Sequence, residues 1–216
     1  MKAMRKALRP LKRWYRRWIY RRWDLIIAVR DNQQPLFQLP RMRFDLNALT
    51  VKFADSRDEH YFADPDWRHM HAKFKDRIQN LDGFGCIIGI VGGKVVSQGP
   101  FVTGKYDDRG MRYVFDPGPK GLYWFEGETL PEWRSRGLAL IGMNWLFGQL
   151  EELTGCDRIM TYYRMDNRAS KRLHDRYLFI PQYRLIWRQL GPLKWTRKTP
   201  LPPSFGEGQH QRKSGA

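Results

Sequence analysis

The stretch Pro131-Glu132-Trp133-Arg134-Ser135-Arg136-Gly137-Leu138-Ala139 lies between a strand-like segment, residues 122–129, and a segment with helical apolar spacing, residues 139–153. A tight, glycine-containing turn from a strand into a helix leaves several backbone N–H groups without intrahelical acceptors. Those N–H groups and the positive end of the helix dipole attract anions, most often phosphate. The stretch therefore predicts a phosphate-binding turn at the start of a helix.

Working outward from this turn, the sequence predicts an α/β (α+β) domain. Gly92-Gly93 between two apolar runs is a strong hairpin signal, and Asp64-Pro65-Asp66 divides a helical pattern into two. The predicted strands are residues 24–30, 85–91, 94–102, 122–129, 158–164 and 183–188, with less regular extended segments at 44–53 and 111–115. The predicted helices are two segments within residues 55–80, followed by residues 139–153 and 168–176.

The composition limits the class of protein. A chain of 216 residues fits one domain with tails, and its 42% hydrophobic and 14% aromatic residues exclude disorder throughout. Cys86 and Cys156 lack the spacing of metal ligands, which favours unpaired thiols in a reducing compartment. The chain has neither an apolar run of about 18 residues nor the apolar region of a secretory signal. We therefore expect a cytoplasmic protein, or one bound peripherally to the inner face of the membrane.

The net charge of +17 is concentrated at the two ends of the chain. Residues 1–23 hold ten Lys and Arg and no acid, and residues 192–216 contribute +4, which leaves +3 for residues 24–191. The sequence thus predicts three parts: a basic N-terminal arm (1–23), a nearly balanced domain (24–191) and a basic, flexible tail rich in Pro and Gly (192–216).

The N-terminal arm has the spacing of an amphipathic helix. Met4, Leu8, Leu11, Tyr15 and Trp18 recur every three or four residues, with Arg and Lys on another face. An apolar stripe edged by Trp and surrounded by Arg is typical of helices in a lipid interface, where each basic residue contributes about 1 kcal/mol near an anionic leaflet. The arm could also bind RNA or pack its stripe on its own domain. The membrane surface is the favoured interpretation and nucleic acid the least favoured.

A second motif follows the turn: Asn167-x-x-Ser170-x-x-Leu173, ending in Leu178-Phe179. Together with Arg134-x-x-Gly137-x-Ala139, it resembles the GNAT superfamily of N-acetyltransferases over about residues 24–190. The resemblance implies the GNAT fold: a central, mixed, mostly antiparallel sheet of six or seven strands flanked by helices, with a splayed parallel pair that binds coenzyme A. It also implies acetyl-coenzyme A as the cosubstrate, without a metal.

The resemblance implies which residues hold the coenzyme. Backbone amides of the turn would bind the pyrophosphate, and Asn167 would contact the pantetheine arm. Leu178 departs from the family pattern, because relatives usually have glycine there. The residues expected at the coenzyme are Thr129, Leu130, Arg134, Ser135, Arg136, Gly137, Leu138, Ala139, Asn167 and Ser170.

By the same resemblance, a neutral amine attacks the acetyl thioester, and a base must first remove the ammonium proton. Glu126 and Glu128 are expected on one face of the strand before the turn, because strand side chains alternate. Glu126 is the first choice for the base and Glu128 the second. A main-chain amide near the end of that strand, between Gly127 and Leu130, would stabilise the oxyanion.

The proton donor for the leaving thiolate is less clearly marked. His174 stands where the family frequently has a tyrosine, and Tyr177 follows three residues later, so either would serve as the acid. His69-x-His71 has no third ligand nearby in the sequence and predicts no metal site.

The acceptor has no transferable motif, and the resemblance implies only that residues 55–81 and 104–120 surround it. The leading hypothesis is an N-acetyltransferase that modifies an amine of an envelope lipid or sugar intermediate at the cytosolic membrane face. One alternative acceptor is a protein amine or an RNA-linked amine. Another alternative is a catalytically degenerate domain that serves as a basic membrane- or nucleic-acid-binding module. The last strand contributes to dimers in relatives, so a homodimer is also an expectation.

Overall fold

Most strands of the described part of the chain belong to one large mixed sheet. The structure is a computed structural model that describes residues 20–36, 38–39, 45–202 and 205. The strands are β1 Tyr20–Asp31, β2 Leu49–Ala54, β3 Phe84–Val91, β4 Lys94–Thr103, β5 Tyr106–Asp108, β6 Tyr113–Phe115, β7 Gly121–Trp124, β8 Glu128–Thr129, β9 Arg158–Arg164, β10 Ile180–Leu190 and β11 Leu193–Thr199. Nine of them form one sheet in the order β11-β10-β1-β9-β7-β4-β3-β2, with β8 beside β4, while β5 and β6 form a separate hairpin.

The helices begin and end at residues suited to those positions. They are α1 Arg68–Asn80, α2 Leu138–Thr154 and α3 Arg168–Arg176. Two 3-10 segments, Ser56–Ala63 and Pro65–Trp67, precede α1 and confirm the predicted break. Helix α2 ends at Gly155, whose φ of 66° favours glycine, and α3 begins at Asn167, whose side chain accepts from the Ser170 amide. The predicted bounds of α3 are confirmed.

Strand alternation divides the core between the two faces of the sheet. In β1, Ile26 and Ala28 pack with α2 on one face, and Leu25 and Ile27 pack on the other face among aromatic rings. All four side chains are fully buried. The first face therefore carries the helix that follows the predicted phosphate turn.

A gap opens between the only two strands of the described sheet that run parallel, β7 and β9. Their pairing ends at Trp124 and Thr161. Beyond that point β8 pairs with β4, and the rest of β9 pairs with β1. This separation is the splayed parallel pair that the sequence predicted, and it leaves an opening between the strands.

A proline explains why β7 is interrupted. The amide of Phe125 donates to the carbonyl of Pro100 on β4 at 3.1 Å, but Pro100 has no N–H to return the second bond of the pair. The backbone then turns through Glu126, whose φ of 50° is left-handed, and the buried Gln98 side chain donates to the Glu126 carbonyl at 2.8 Å. The predicted continuous strand 122–129 is therefore wrong at its centre, and Glu126 lies in an irregular segment.

The predicted limits of the domain also differ from the structure. Residues 193–199, predicted as part of a flexible tail, form β11 and pair with β10 over seven residue pairs. At the other end β1 begins at Tyr20, so residues 20–23 belong to the sheet and not to the arm. The additional strands explain why the sheet exceeds the predicted six or seven. Of the amphipathic helix predicted for the arm (1–23), residues 1–19 lie outside the described residues.

Candidate functional site

A cavity of about 290 Å³ occupies the gap between the separated strands. Its walls come from the β7–β8 segment and β9, from the first turns of α2, and from α3. We call it the inner cavity. The predicted site residues that line it are Glu126, Glu128, Thr129, Leu138, Ala139, Asn167, Ser170 and His174. The structure thus brings the end of the turn motif and the asparagine motif, about 30 residues apart in the chain, to one cavity, whereas Ser135 and Gly137 do not line it.

The turn before α2 presents backbone donors. Ser135 and Gly137 both adopt left-handed φ values, 63° and 82°. The carbonyl of Gly137 accepts from the amides of residues 140 and 141. Within the described backbone, no carbonyl accepts from the amides of residues 135–139. These unused donors at the N-terminus of a 17-residue helix make an anion site.

The two arginines of the turn contact other residues in or next to the turn. Arg134 Nε donates to the carbonyl of Thr129 at 3.0 Å, and the Arg136 guanidinium lies 4.6 Å from the centre of the Trp133 ring. Neither arginine lines the inner cavity. Leu130 is buried beneath α1 in the core, and its amide donates to the Val96 carbonyl. The structure therefore does not bring Leu130 to the cavity.

Asn167 uses one part of its side chain and leaves another available. Its carbonyl oxygen accepts from the Ser170 amide at 3.0 Å and caps α3. Because the side-chain NH₂ group is a separate donor, it can serve a molecule in the cavity while the cap is kept. Leu178, two residues beyond the end of α3, has a φ of 57°, which explains why relatives usually have glycine at this position.

Glu126 is held by two cations. Arg77 Nη1 donates to its carboxylate at 3.0 Å, and Lys73 Nζ lies 3.6 Å from the same oxygen. Burial alone would raise the pKa of Glu126, but Arg77 and Lys73 outweigh it, so the pKa is lowered. A carboxylate in two ion pairs with a lowered pKa is a weak proton acceptor at neutral pH.

Glu128 has a different partner. Its carboxylate lies 2.9 Å from Nε2 of His69 on α1, and about half of the His69 side chain is exposed. His71 pairs instead with Glu59. Within the described residues, no three His, Cys, Asp or Glu side chains are grouped as metal ligands. The proximity of His69 to Glu128 could not be found from the sequence, because it depends on how α1 packs beside β8.

The two predicted acids have different environments. His174 is buried at the inner cavity, and the hydrogen bond at 2.7 Å to the Ser170 carbonyl makes its Nδ1 the donor. Burial lowers the pKa of His174, so the ring is neutral at pH 7 and Nε2 carries no proton. Tyr177 is absent from the cavity wall, because its hydroxyl donates to the Leu140 carbonyl inside the core.

Tyr163 is a site residue that the sequence analysis missed. It lies at the end of β9, lines the inner cavity and packs against His174 at 4.9 Å between ring centres. Its buried hydroxyl has no hydrogen-bond partner among the described residues. Burial raises the pKa of Tyr163 to about 12. A protonated, buried hydroxyl without a partner, on a residue of the cavity wall, indicates a ligand with polar atoms.

A second cavity, of about 570 Å³, adjoins the first. We call it the outer cavity. The two cavities share Glu126, Gly127, Glu128 and Tyr162 in their walls. The rest of the outer wall comes from β1, β10, β11, α1 and the turn between β5 and β6. A molecule in the inner cavity could therefore meet a second molecule at the two carboxylates.

Comparisons with known proteins agree with this geometry. The sequence model described as the acetyltransferase (GNAT) family matches residues 41–178, more than half of the chain. The solved structures with this fold include a conserved protein of unknown function from Staphylococcus epidermidis, 13% identical over 83% of this chain and 66% of that chain, with a TM-score of 0.54. They also include a GCN5-related N-acetyltransferase from Sphaerobacter thermophilus, 15% identical over 92% of this chain and 58% of that one, with a TM-score of 0.52.

At these identities the likeness establishes the fold and leaves the activity open. This chain spans about two thirds or less of the length of those two structures. No curated protein sequence matches it.

Proposed function

This chain belongs to the GNAT acetyltransferase family, and we propose that it transfers an acetyl group from acetyl-coenzyme A to a primary amine. One observation carries the proposal: the opening between β7 and β9 joins the first residues of α2, which follow the anion-binding turn, with Asn167 and two carboxylates in a single cavity. Acetyl-coenzyme A supplies an anionic pyrophosphate, a polar arm and the thioester that reacts with the amine.

The residues of the inner cavity fit such a cosubstrate. The unused amides of residues 135–139, of which Leu138 and Ala139 belong to the cavity wall, match the pyrophosphate. The Asn167 NH₂ group and the partnerless hydroxyl of Tyr163 match the polar groups of the arm and the thiol. Gly142, one turn into α2, has no atom within 4 Å of where a Cβ would stand, so the wall is open at that level.

The residues at the junction of the two cavities would move the protons. Glu128 is the proposed base, because it has a single histidine partner while Arg77 and Lys73 hold Glu126. It takes a proton from the acceptor ammonium, and His69 passes that proton to solvent. The amine nitrogen then forms the amide bond as the carbon–sulfur bond breaks, and the second proton that the nitrogen loses leaves by the same route, while the donor to the thiolate regains its proton from solvent. Backbone amides of residues 127–129 are the proposed oxyanion donors.

The thiolate that leaves needs a proton, and Tyr163 is the proposed donor. Its pKa of about 12 keeps the hydroxyl protonated at neutral pH. His174 also lines the cavity, but the one N–H group of its neutral ring, at Nδ1, already donates to the Ser170 carbonyl. The Tyr177 hydroxyl already donates a hydrogen bond to the Leu140 carbonyl inside the core.

Isothermal titration tests the cosubstrate. We expect acetyl-coenzyme A to bind to the full chain at one site with micromolar affinity. We expect 3′,5′-ADP to compete more weakly, because it lacks the pantetheine arm of the coenzyme. Absence of binding at millimolar acetyl-coenzyme A would overturn the proposal. Binding without acetyl transfer to any amine would instead favour the degenerate binding module.

We also propose that the protein works at an anionic membrane surface. The composition of residues 1–23 supports this location, and so does the far edge of the sheet, where Leu190, Leu193 and Trp195 are exposed beside Arg188 and Arg197. None of the described helices has the length and apolar character needed to cross a bilayer.

Co-sedimentation with liposomes tests the location. We expect vesicles with phosphatidylglycerol to bind the full chain several-fold more than neutral vesicles, and a chain that lacks residues 1–19 to lose most of this difference. Equal binding of both chains would contradict a role for the arm. Preferential binding to RNA at the same ionic strength would favour the RNA-linked acceptor.

A further inference from the structure

The outer cavity has walls of opposite charge. Glu126, Glu128 and Asp108 contribute carboxylates to its wall, and Arg21 on β1 and Lys194 on β11 contribute cations. Lys73 also lines the cavity, but it pairs with Glu126. The described ion pairs include none to Lys194. The cavity therefore presents carboxylates and cations at separate places.

Strand register fixes where the cations lie. Arg21 on β1 is opposite Gln189 on β10, and Gln189 is opposite Lys194 on β11, so the three form one row across the sheet. The next row inward contains Trp23 and Trp187, whose rings stack at 4.6 Å between centres. The Trp187 side chain is buried, whereas about a third of the Trp23 side chain that stacks on it is exposed. The cationic row thus borders an aromatic surface.

The sheet order places the two kinds of charge on different strands. Strands β8 and β1 are separated by the position of β9, which ends at Arg164 opposite Leu25. Because β8 pairs with β4 and not with β9, the gap and the position of β9 both lie between the carboxylates of the β7–β8 segment and the cationic row. The two Trp side chains occupy the space along this span.

We propose, resting on the acetyl transfer proposed above, that the acceptor is an amine that also carries a carboxylate or phosphate, separated from its nitrogen by an apolar segment. The nitrogen lies at Glu128, the anion binds Lys194 and Arg21, and the apolar part between them packs on Trp23 and Trp187. A polyamine would bring positive charge to the cationic row, and a neutral amine would leave Lys194 without a counter-ion. Both are therefore poorer acceptors.

Steady-state kinetics with matched amines tests this inference, at saturating acetyl-coenzyme A. The probes are 8-aminooctanoate, 8-aminooctyl phosphate, their neutral counterpart 8-aminooctanamide, and 1,8-diaminooctane. We expect the two anionic amines to exceed the neutral amide at least tenfold in kcat/KM, and the diamine to be the poorest. Equal rates for acid and amide, with transfer observed, would overturn the inference and leave the proposed function intact. Absence of transfer to every amine would overturn both.

Substitutions in the cationic row provide a second test of the inference. Lys194→Gln should raise KM for the anionic amines about tenfold with kcat nearly unchanged, and leave the amide unaffected. Lys194→Glu should make the diamine the better substrate. Lys120→Gln, an exposed lysine outside both cavities, is the matched control and should change nothing. An effect of Lys194→Gln on all amines alike would contradict the proposal.

The same anionic head group can come from a lipid or from a soluble molecule. An 8-aminooctyl phosphate diester carried on a lipid in phosphatidylglycerol vesicles distinguishes the two sources. A higher kcat/KM for the vesicle-bound form identifies a lipid head group, and a higher value for the free form identifies a soluble acceptor. Failure of Lys194→Gln to alter the preferred form would overturn the assignment of the anion to this row.

Discussion

Glu128→Gln is expected to lower kcat for acetyl transfer by about 10²–10³-fold, because the amide cannot take the ammonium proton. This loss corresponds to about 3–4 kcal/mol of activation free energy. Affinity for acetyl-coenzyme A should change less than twofold, since the carboxylate lies at the junction of the cavities and the pyrophosphate turn is elsewhere. Single-turnover measurements with titration calorimetry on the same sample check both parts.

Two other glutamates make this prediction specific. Glu132→Gln removes the same charge from an exposed residue in the neighbouring turn, outside both cavities, and should leave kcat unchanged. Glu126→Gln leaves Arg77, 13% exposed, without its carboxylate partner, so we expect mainly a loss of stability. A full rate for Glu128→Gln with a 10²-fold loss for Glu126→Gln would transfer the role of base to Glu126, the first choice from the sequence.

Gly137→Val is expected to weaken binding of acetyl-coenzyme A at least tenfold, or about 1.4 kcal/mol. Gly137 has a φ of 82°, and a β-branched residue at such a value is strongly disfavoured. The turn would rotate its amides away from the anion at the start of α2. Titration calorimetry measures the affinity, and thermal unfolding reports the accompanying loss of stability.

The two ends of helix α2 offer a matched pair. Gly155 ends the helix with a φ of 66°, at the opposite end from the anion-binding turn, and has open space where a Cβ would stand. Gly155→Val should therefore cost similar stability, about 1–2 kcal/mol, without changing the affinity for acetyl-coenzyme A. Equal loss of affinity in both variants would mean that strain in α2 lowers affinity by general destabilisation and that the turn has no specific role.

Neighbouring residues in the sequence were sufficient to predict the helix and the strand near the asparagine motif. Asn167 caps α3 through its own side chain, and residues 158–164 have the strand bounds that the sequence predicts. Residues 193–199 were missed because lysine, arginine and proline dominate the composition of the tail. Yet Gly191-Pro192 is a two-residue loop between paired strands, and Gly191 has a φ of 55°. A basic edge strand is a common way to prevent unwanted pairing with another sheet, so charge was poor evidence of disorder.

The candidate site was predictable where it depends on the turn, and unpredictable where it depends on the sheet. Arg134-x-x-Gly137-x-Ala139 fixes an anion site from consecutive residues. The proximity of His69 to Glu128, and the position of Tyr163 in the wall of the inner cavity, depend on strand order and helix packing. Lys194 reaches the outer cavity only because β11 exists. No spacing along the chain records these contacts.

Pro100 shows how an opening can be encoded far from the residues that use it. It contributes no atom to the described walls of either cavity, but the donor that it lacks interrupts the neighbouring strand at Phe125 and Glu126. Comparison of active-site residues alone would overlook such a position. For protein design, a β-sheet can be parted at a chosen level by withholding one hydrogen from the adjacent strand, while the reactive groups are selected independently.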